Sequence, residues 1–199
     1  MTLPEHAMCS LMLAQLECHQ KYGWRGVSLV VLAGISPDLD VVTKLISEPL
    51  FWEMHHALGH SLLSVALLSA LLAGLGRVAF RLTFLPMWRW CFAASVVHVL
   101  TDVPYWWGVR IFWPFSDWEL RLNAIEYLDL LVLGLWLAGT ALIYRRPRWG
   151  FSIGATCLIA FASYVGLRCM LPTPTGTLYY LTGGWMYAAP SQTPVLDWW

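Results

Sequence analysis

The sequence predicts an all-α protein whose helices form a polytopic membrane bundle. Its composition, its long apolar stretches and the alternation of its basic loops lead to this prediction. Of the 199 residues, 58% are hydrophobic and 12% are charged, and the mean hydropathy is +0.59. A soluble domain has roughly 45–50% apolar and about 25% charged residues, so much of this surface is expected to contact lipid. Basic and acidic residues balance at 12 each, which predicts no nucleic-acid partner.

Apolar segments of about 20 residues have the length that crosses a membrane as a helix. The first segment, 5–19, is shorter and is expected to form an amphipathic or partly inserted helix. Residues 1–7 contain no lysine or arginine, so we do not expect a cleavable signal peptide. Residues 26–46 are apolar as far as Ser36 and polar beyond it. The remaining segments cover 58–76, 87–106, 125–144 and 150–171, which gives five or six helices in total.

The loops between these segments alternate in charge, and this alternation predicts their orientation. Three loops carry the basic residues and are expected to be cytoplasmic by the positive-inside rule. The alternate loops, 38–57 and 102–124, should then face outward. We expect residues 1–171 to form the membrane domain and 172–199 a non-helical extracytoplasmic tail, because the tail is rich in proline, glycine and aromatic residues. The basic residues are Lys21 and Arg25, then Arg77, Arg81 and Arg89, and then Arg145, Arg146 and Arg148.

The histidines and aspartates gather at the predicted outer ends of four segments. His98 and Asp102 are four residues apart and should share one helix face. His56 and His60 have the same spacing, whereas the adjacent His55 and His56 cannot both point inward from a regular helix. The other members of the set are His6, at the start of the first segment, and Asp38 and Asp40, whose spacing after Pro37 suits an extended or turn backbone.

Imidazole and carboxylate groups in one place indicate a metal site. They are the usual nitrogen and oxygen ligands of zinc, our leading candidate, and they also suit manganese or iron. The groups are too many for one tetrahedral ion, so one or two ions are expected, a pair lying about 3.5–4 Å apart and bridged by an aspartate. A lone histidine in an apolar helix is usually a core residue, but convergence of several motifs at one end favours a functional site.

Three weaker candidates lie in or near the outer loops. Glu126 and Asp129 could orient ligating histidines, or they could be ordinary helix-end charges. Arg110 could bind a phosphate oxygen, or it could extend to lipid headgroups.

The motifs resemble those of the YdjM-like family of inner-membrane metal-dependent hydrolases. The matching pieces span about residues 6–116: His6, Ser-Pro-Asp-Leu-Asp at 36–40, the stretch 55–61, His98 with Asp102, Gly-Val-Arg at 108–110 and Trp-Pro-Phe at 113–115. The resemblance implies a helical membrane bundle, metal dependence and hydrolase activity. It places candidate metal ligands at His6, Asp38, Asp40, His55, His60, His98 and Asp102.

The chain departs from the family pattern in one stretch. The family reads roughly His-Arg-Gly-x-Thr-His-Ser, whereas here His56, Ala57 and Gly59 replace the arginine, glycine and threonine. The replaced arginine would be a fixed cation able to hold a phosphate. His56 is therefore our candidate for a catalytic base or a phosphate contact.

Together these observations predict a metal-dependent hydrolase of the bacterial inner membrane with its site on the extracytoplasmic side. A phosphoester or lipid-linked substrate fits that location, with membrane lipid as the surrounding partner. One alternative is a divalent-metal transporter, although transport sites tend to lie near the bilayer midplane. Another is a non-catalytic membrane scaffold with a structural or decayed metal site.

Overall fold

The computed structural model describes residues 1–48, 51 and 54–171, and this part of the chain is built from helices. The predicted tail, 172–199, lies outside the described residues. Two connections between α-helices are long: 36–61, which carries a 3₁₀ stretch and a π turn, and 103–129, which contains one isolated antiparallel bridge between Val109 and Leu120. The α-helices are α1 (Leu3–Ala14), α2 (Cys18–Ile35), α3 (Leu62–Phe80), α4 (Phe84–Asp102), α5 (Leu130–Arg145) and α6 (Gly150–Met170).

The all-α membrane prediction is confirmed for the described residues. Three helical stretches are long and apolar enough to cross a membrane: Cys18–Leu45, Leu62–Phe80 and Pro147–Met170. Helix α5 is apolar but shorter. Helix α4 has 19 residues but is not among the three, and it carries Arg89, His98 and Asp102 within its length. Leucines such as Leu67 and Leu71 are 63% and 60% exposed on α3, as expected of a lipid-facing surface.

Helices α2 and α4 run side by side in the same direction. The Ser95 hydroxyl donates to the Ala33 carbonyl at 2.8 Å, and the Cys91 thiol contacts the Leu29 carbonyl at 3.8 Å, so the register stays constant along the pair. Helix α3 turns back into α4 at Arg81, which adopts a left-handed φ of 57°. Helices α1 and α2 form an antiparallel pair, and α5 and α6 form another against α1.

Small residues set the close approach of helices around α1. A Cβ atom added to Gly34 of α2 would lie 1.7 Å from Ser10 Oγ of α1. A Cβ added to Gly154 of α6 would lie 2.4 Å from the Met12 carbonyl oxygen. Such contacts are typical of membrane helix interfaces, because lipid gives no hydrophobic driving force and close packing must supply the attraction.

The start of α2 differs from the predicted loop. We expected Lys21 and Arg25 to lie in a connection between two segments, but the helix already begins at Cys18. The two residues flank Gly23, whose φ of 60° and ψ of −159° interrupt the helix. A left-handed φ costs glycine little because it has no Cβ, and the interruption redirects the first turn of α2.

The chain direction places every predicted ligand at one end of the bundle. That end is formed by the start of α1, the end of α2, the start of α3 and the end of α4. The predicted basic residues lie at the opposite end, around the α3–α4 turn, the α5–α6 turn and the start of α2. This agrees with the predicted grouping, and the side of the membrane that each end faces stays a prediction.

We expect the variant Gly34→Ala to lower the free energy of unfolding by about 1–3 kcal/mol, because the new methyl group overlaps Ser10. Thermal or denaturant unfolding in detergent measures the change. Gly74→Ala is the matched control, since a Cβ at Gly74 meets nothing within 4 Å. The second substitution Ser10→Gly should restore stability to Gly34→Ala. Equal stability of the Gly34→Ala and Gly74→Ala proteins would contradict the close-packing account.

Candidate metal centre

Two aspartates on different elements form the middle of the site. Asp38 lies on a 3₁₀ stretch, Ser36–Leu45, that continues α2, and Asp102 is the last residue of α4. Their side chains are 14% and 4% exposed. The 3₁₀ geometry is tighter than α and differs from the extended backbone that we had considered. It begins at Ser36-Pro37, where proline occupies the first turn of a helix at little cost.

Four imidazoles surround the two carboxylates with their Nε2 atoms. His98 Nε2 lies 3.4 Å from Asp38 Oδ1 and 3.5 Å from Asp102 Oδ2. His60 Nε2 lies 3.1 Å from Asp102 and 3.7 Å from Asp38. His6 Nε2 is 3.3 Å from Asp102 and 3.8 Å from Asp38. The fourth, His55, places its Nε2 3.7 Å from Asp38.

The Nδ1 atoms of two histidines are fixed by backbone carbonyls. His98 Nδ1 donates to the Gly34 oxygen at 2.6 Å, and His60 Nδ1 donates to the His55 oxygen at 2.8 Å. A carbonyl can only accept, so Nδ1 carries the proton and Nε2 of the neutral ring keeps its lone pair. The two Nε2 atoms lie 3.2 Å apart. These two ring nitrogens and the two carboxylates bring four possible ligand atoms to one place, which suits a cation.

The other two histidines are held by side chains. His55 Nδ1 lies 2.6 Å from Asp40 Oδ1. His6 Nδ1 lies 3.3 Å from the Thr101 hydroxyl oxygen, whose own proton is donated to the His98 carbonyl at 2.8 Å. The Thr101 oxygen therefore accepts from His6, which again leaves Nε2 free. Holding the ring through Nδ1 is the usual way in which proteins orient a metal-binding histidine.

The distances fit a divalent metal. Zinc–nitrogen bonds of about 2.0–2.1 Å place tetrahedral ligand atoms about 3.3 Å apart, close to the separations found here. Two groups have ligand atoms within 4.8 Å of one another. One contains His6, Asp38, His98 and Asp102, and the other contains Asp38, His55 and His60. Asp38 belongs to both groups, as a carboxylate that bridges two ions would.

Residues 55–59 adopt a π-helical turn rather than the α-helix assumed from the spacing. In a π turn the fifth residue along the chain returns to the same side. His55 and His60 therefore face the carboxylates together. The His56 and His60 rings do lie in edge-on contact, with centroids 5.5 Å apart, but not on one α-helical face, and His56 belongs to neither ligand group. Ser61 then caps α3 by accepting from the Ser64 backbone N–H at 3.2 Å.

His56 lies outside the ring of imidazoles. Its own ring is parallel to that of Trp107, with centroids 5.9 Å apart. Burial, followed by the neighbouring His60 and His55, lowers the pKa of His56 to about 3, so its imidazole is neutral at pH 7. A neutral ring cannot replace the charge of the arginine in the family pattern. The role of His56 as a base or a phosphate contact stays a prediction.

The remaining candidates have different surroundings. The backbone N–H of Arg110 donates to the His56 carbonyl at 2.9 Å, which places Arg110 at the rim of the site. Asp129 caps α5 through the backbone N–H groups of Leu131 and Val132 and accepts the Tyr164 hydroxyl at 2.6 Å. Glu126 is half-buried in the connection before α5. The contacts of Asp129 are those of a helix cap, and none of them is with a histidine.

Sequence reasoning did not find two anchors of the histidines. Thr101 lies between His98 and Asp102 in the motif and could have been noticed, because a hydroxyl three residues after a histidine shares its helix face. The Gly34 carbonyl could not have been found, because backbone atoms carry no signal in the sequence.

A family model described as YdjM inner membrane protein matches residues 1–172. The chain belongs to this family. The uncharacterized protein YfhP of Bacillus subtilis (strain 168) is 30% identical over 142 residues, which are 70% of this chain and 42% of that relative. The match thus spans less than half of the relative's length. No solved structure matches the chain.

Membership of the YdjM family confirms the resemblance seen in the motifs and makes the chain an inner membrane protein. The family match covers every residue of the His/Asp cluster. Most of the cluster is buried, so it has the composition and the enclosure of a site that could hold a metal.

We expect Thr101→Val to weaken metal binding by about 10–100-fold, because His6 loses the group that orients its ring. Thr140→Val is the matched control, since the buried Thr140 hydroxyl has no hydrogen-bond partner among the described residues. Titration with zinc against a competing chelator measures the affinity. Equal zinc affinities of the Thr101→Val and Thr140→Val proteins would contradict the orienting role of Thr101.

Proposed function

We propose that this protein is a membrane-bound, metal-dependent hydrolase that acts on a phosphoester or lipid-linked substrate at the outer face of the inner membrane. The observation that supports the proposal best is the position of Asp38 in both ligand groups. A shared carboxylate suits a pair of divalent ions, and paired ions recur in enzymes that cleave phosphoesters. We favour zinc, with manganese or iron as alternatives, because the donors are only imidazole and carboxylate.

The residues of the cluster would have different roles, set by their positions. Asp38 and Asp102 supply negative charge between the imidazoles, and His6, His60 and His98 present Nε2 atoms from three helix ends. Bound metal would act as a Lewis acid and lower the pKa of a coordinated water to about 7. We assign Asp40 to orienting His55 rather than to binding metal directly, because its Oδ1 contacts His55 Nδ1 and it belongs to neither ligand group.

The rim of the site would bind the substrate. Asp38, Asp40 and His55 are each about 14–15% exposed, whereas His6, His60 and His98 are fully enclosed. Access is therefore from the side of the 3₁₀ and π turns. Arg110 and His56 are neighbours on this side, and we propose that the Arg110 guanidinium holds a phosphate oxygen while the neutral His56 ring forms a hydrogen bond with the same phosphate.

The position of the cluster bears on the transporter alternative. Transport sites tend to lie near the bilayer midplane on broken helices, whereas these ligands lie at helix ends. A metal transporter would nevertheless use the same residues. Uptake of zinc into proteoliposomes that depends on His98 would favour transport over hydrolysis, and an unchanged thermal midpoint after chelation would favour the scaffold.

We expect Asp38→Ala to lose most of the bound metal and to lower hydrolysis by more than about 100-fold. Elemental analysis of detergent-purified protein gives the metal content. Hydrolysis is followed with soluble chromogenic phosphomonoesters and diesters and with phosphatidic acid in mixed micelles. The exposed Asp117 provides the control Asp117→Ala, which should retain both properties. A metal-loaded wild-type protein that cleaves none of these substrate classes would count against hydrolase activity on phosphoesters.

A further inference from the structure

A cavity lies at the other end of the bundle from the His/Asp cluster. This open cavity of about 380 Å³ lies between the first turns of the parallel helices α2 and α4. Arg89 precedes Asp102 by 13 positions on α4, which is about 20 Å along the helix axis. The cavity is lined by Lys21, Tyr22, Pro86, Arg89, Trp90 and Ala93.

The shape of the cavity follows from the two helices. On α4 the lining residues recur at the spacing of one helix face, from Pro86 to Ala93. On α2, Lys21 and Tyr22 immediately precede Gly23, where the left-handed φ interrupts the helix. The wall formed by α2 therefore belongs to the redirected first turn, while Gly26, beyond the interruption, packs near Met87 of α4.

Two cations face this cavity. The Lys21 ammonium donates to the Glu17 carboxylate at 2.7 Å, but the side chain is 59% exposed. An ammonium has three donor hydrogens, so two remain for a ligand. Arg89 is exposed and forms no salt bridge with any residue that the structure describes. The cavity thus offers a surplus of positive charge and a planar guanidinium.

We propose that this cavity binds the phosphate-bearing headgroup of an anionic phospholipid. Arg89 and Lys21 would hold the phosphate oxygens, because guanidinium and ammonium groups form charge-assisted hydrogen bonds with phosphate. Trp90 and Tyr22 would lie at headgroup depth, where amphipathic rings are enriched. A phospholipid is favoured over a soluble phosphate because the site is open beside α2, which belongs to a stretch long and apolar enough to cross a membrane.

Native mass spectrometry of the full chain, exchanged into phosphatidylglycerol or phosphatidylcholine, tests this site without any measurement of activity. Wild-type protein should retain phosphatidylglycerol and release phosphatidylcholine. The double substitution Lys21→Gln with Arg89→Gln should weaken phosphatidylglycerol binding by about tenfold or more, because two cationic contacts are lost. Arg145→Gln with Arg148→Gln is the matched control, since it removes the same charge from the same end of the bundle without touching the cavity.

The outcomes separate the sources of phosphate. The proposed site would be overturned if the Lys21 and Arg89 variant retained phosphatidylglycerol. It would also be overturned if the Arg145 and Arg148 control lost as much phosphatidylglycerol as that variant. Displacement of the lipid by inorganic phosphate at equal concentration would show an anion site with no need for a lipid, and would overturn the lipid assignment. Size-exclusion profiles verify that the variants are folded, as expected because both altered side chains are exposed.

Discussion

The arrangement of this protein depends on two carboxylates, one buried and one half-buried, held within reach of four imidazoles. Removing a carboxylate from water is costly unless opposite charge and hydrogen bonds compensate for it. Asp102 is almost fully enclosed, and the groups around it come from α1, from the turn before α3 and from its own helix. The Met1 ammonium, which precedes α1, also donates to Asp102 Oδ1. The ends of these helices must therefore stay together, and the close contacts of Gly34 with Ser10 and of Ser95 with Ala33 maintain their register.

The sequence was sufficient for the fold class and for the grouping of the polar residues. Apolar length predicts membrane helices whatever the packing partners are, and the alternation of helix direction brings the histidines and aspartates to one end. Local geometry was harder to predict. The π turn at 55–59 decides which histidine of the adjacent pair faces inward, and hydropathy and spacing carry no signal for one extra residue in a turn. The role of Asp129 as a helix cap was likewise visible only from its contacts.

The anchoring of the histidines explains why so many polar groups can be tolerated in an apolar bundle. Each Nδ1 has a partner in the protein: a carbonyl for His98 and His60, a carboxylate for His55 and a hydroxyl for His6. Their Nε2 atoms are consequently directed to a common volume. In a low-dielectric interior, satisfied networks of this kind are rigid, because each member loses a hydrogen bond if it moves.

The contact between the 3₁₀ and π turns has a consequence for sequence variation. A Cβ at Gly59 would lie 2.4 Å from the Pro37 carbonyl oxygen, and Asp40 bonds His55 across the same junction. The Asp40–His55 contact thus holds the two ends of the intervening stretch together. Lengthening a chain segment whose ends are already held together costs little conformational entropy. An insertion there should leave every ligand in place, whereas a threonine at position 59 requires a compensating shift of Pro37.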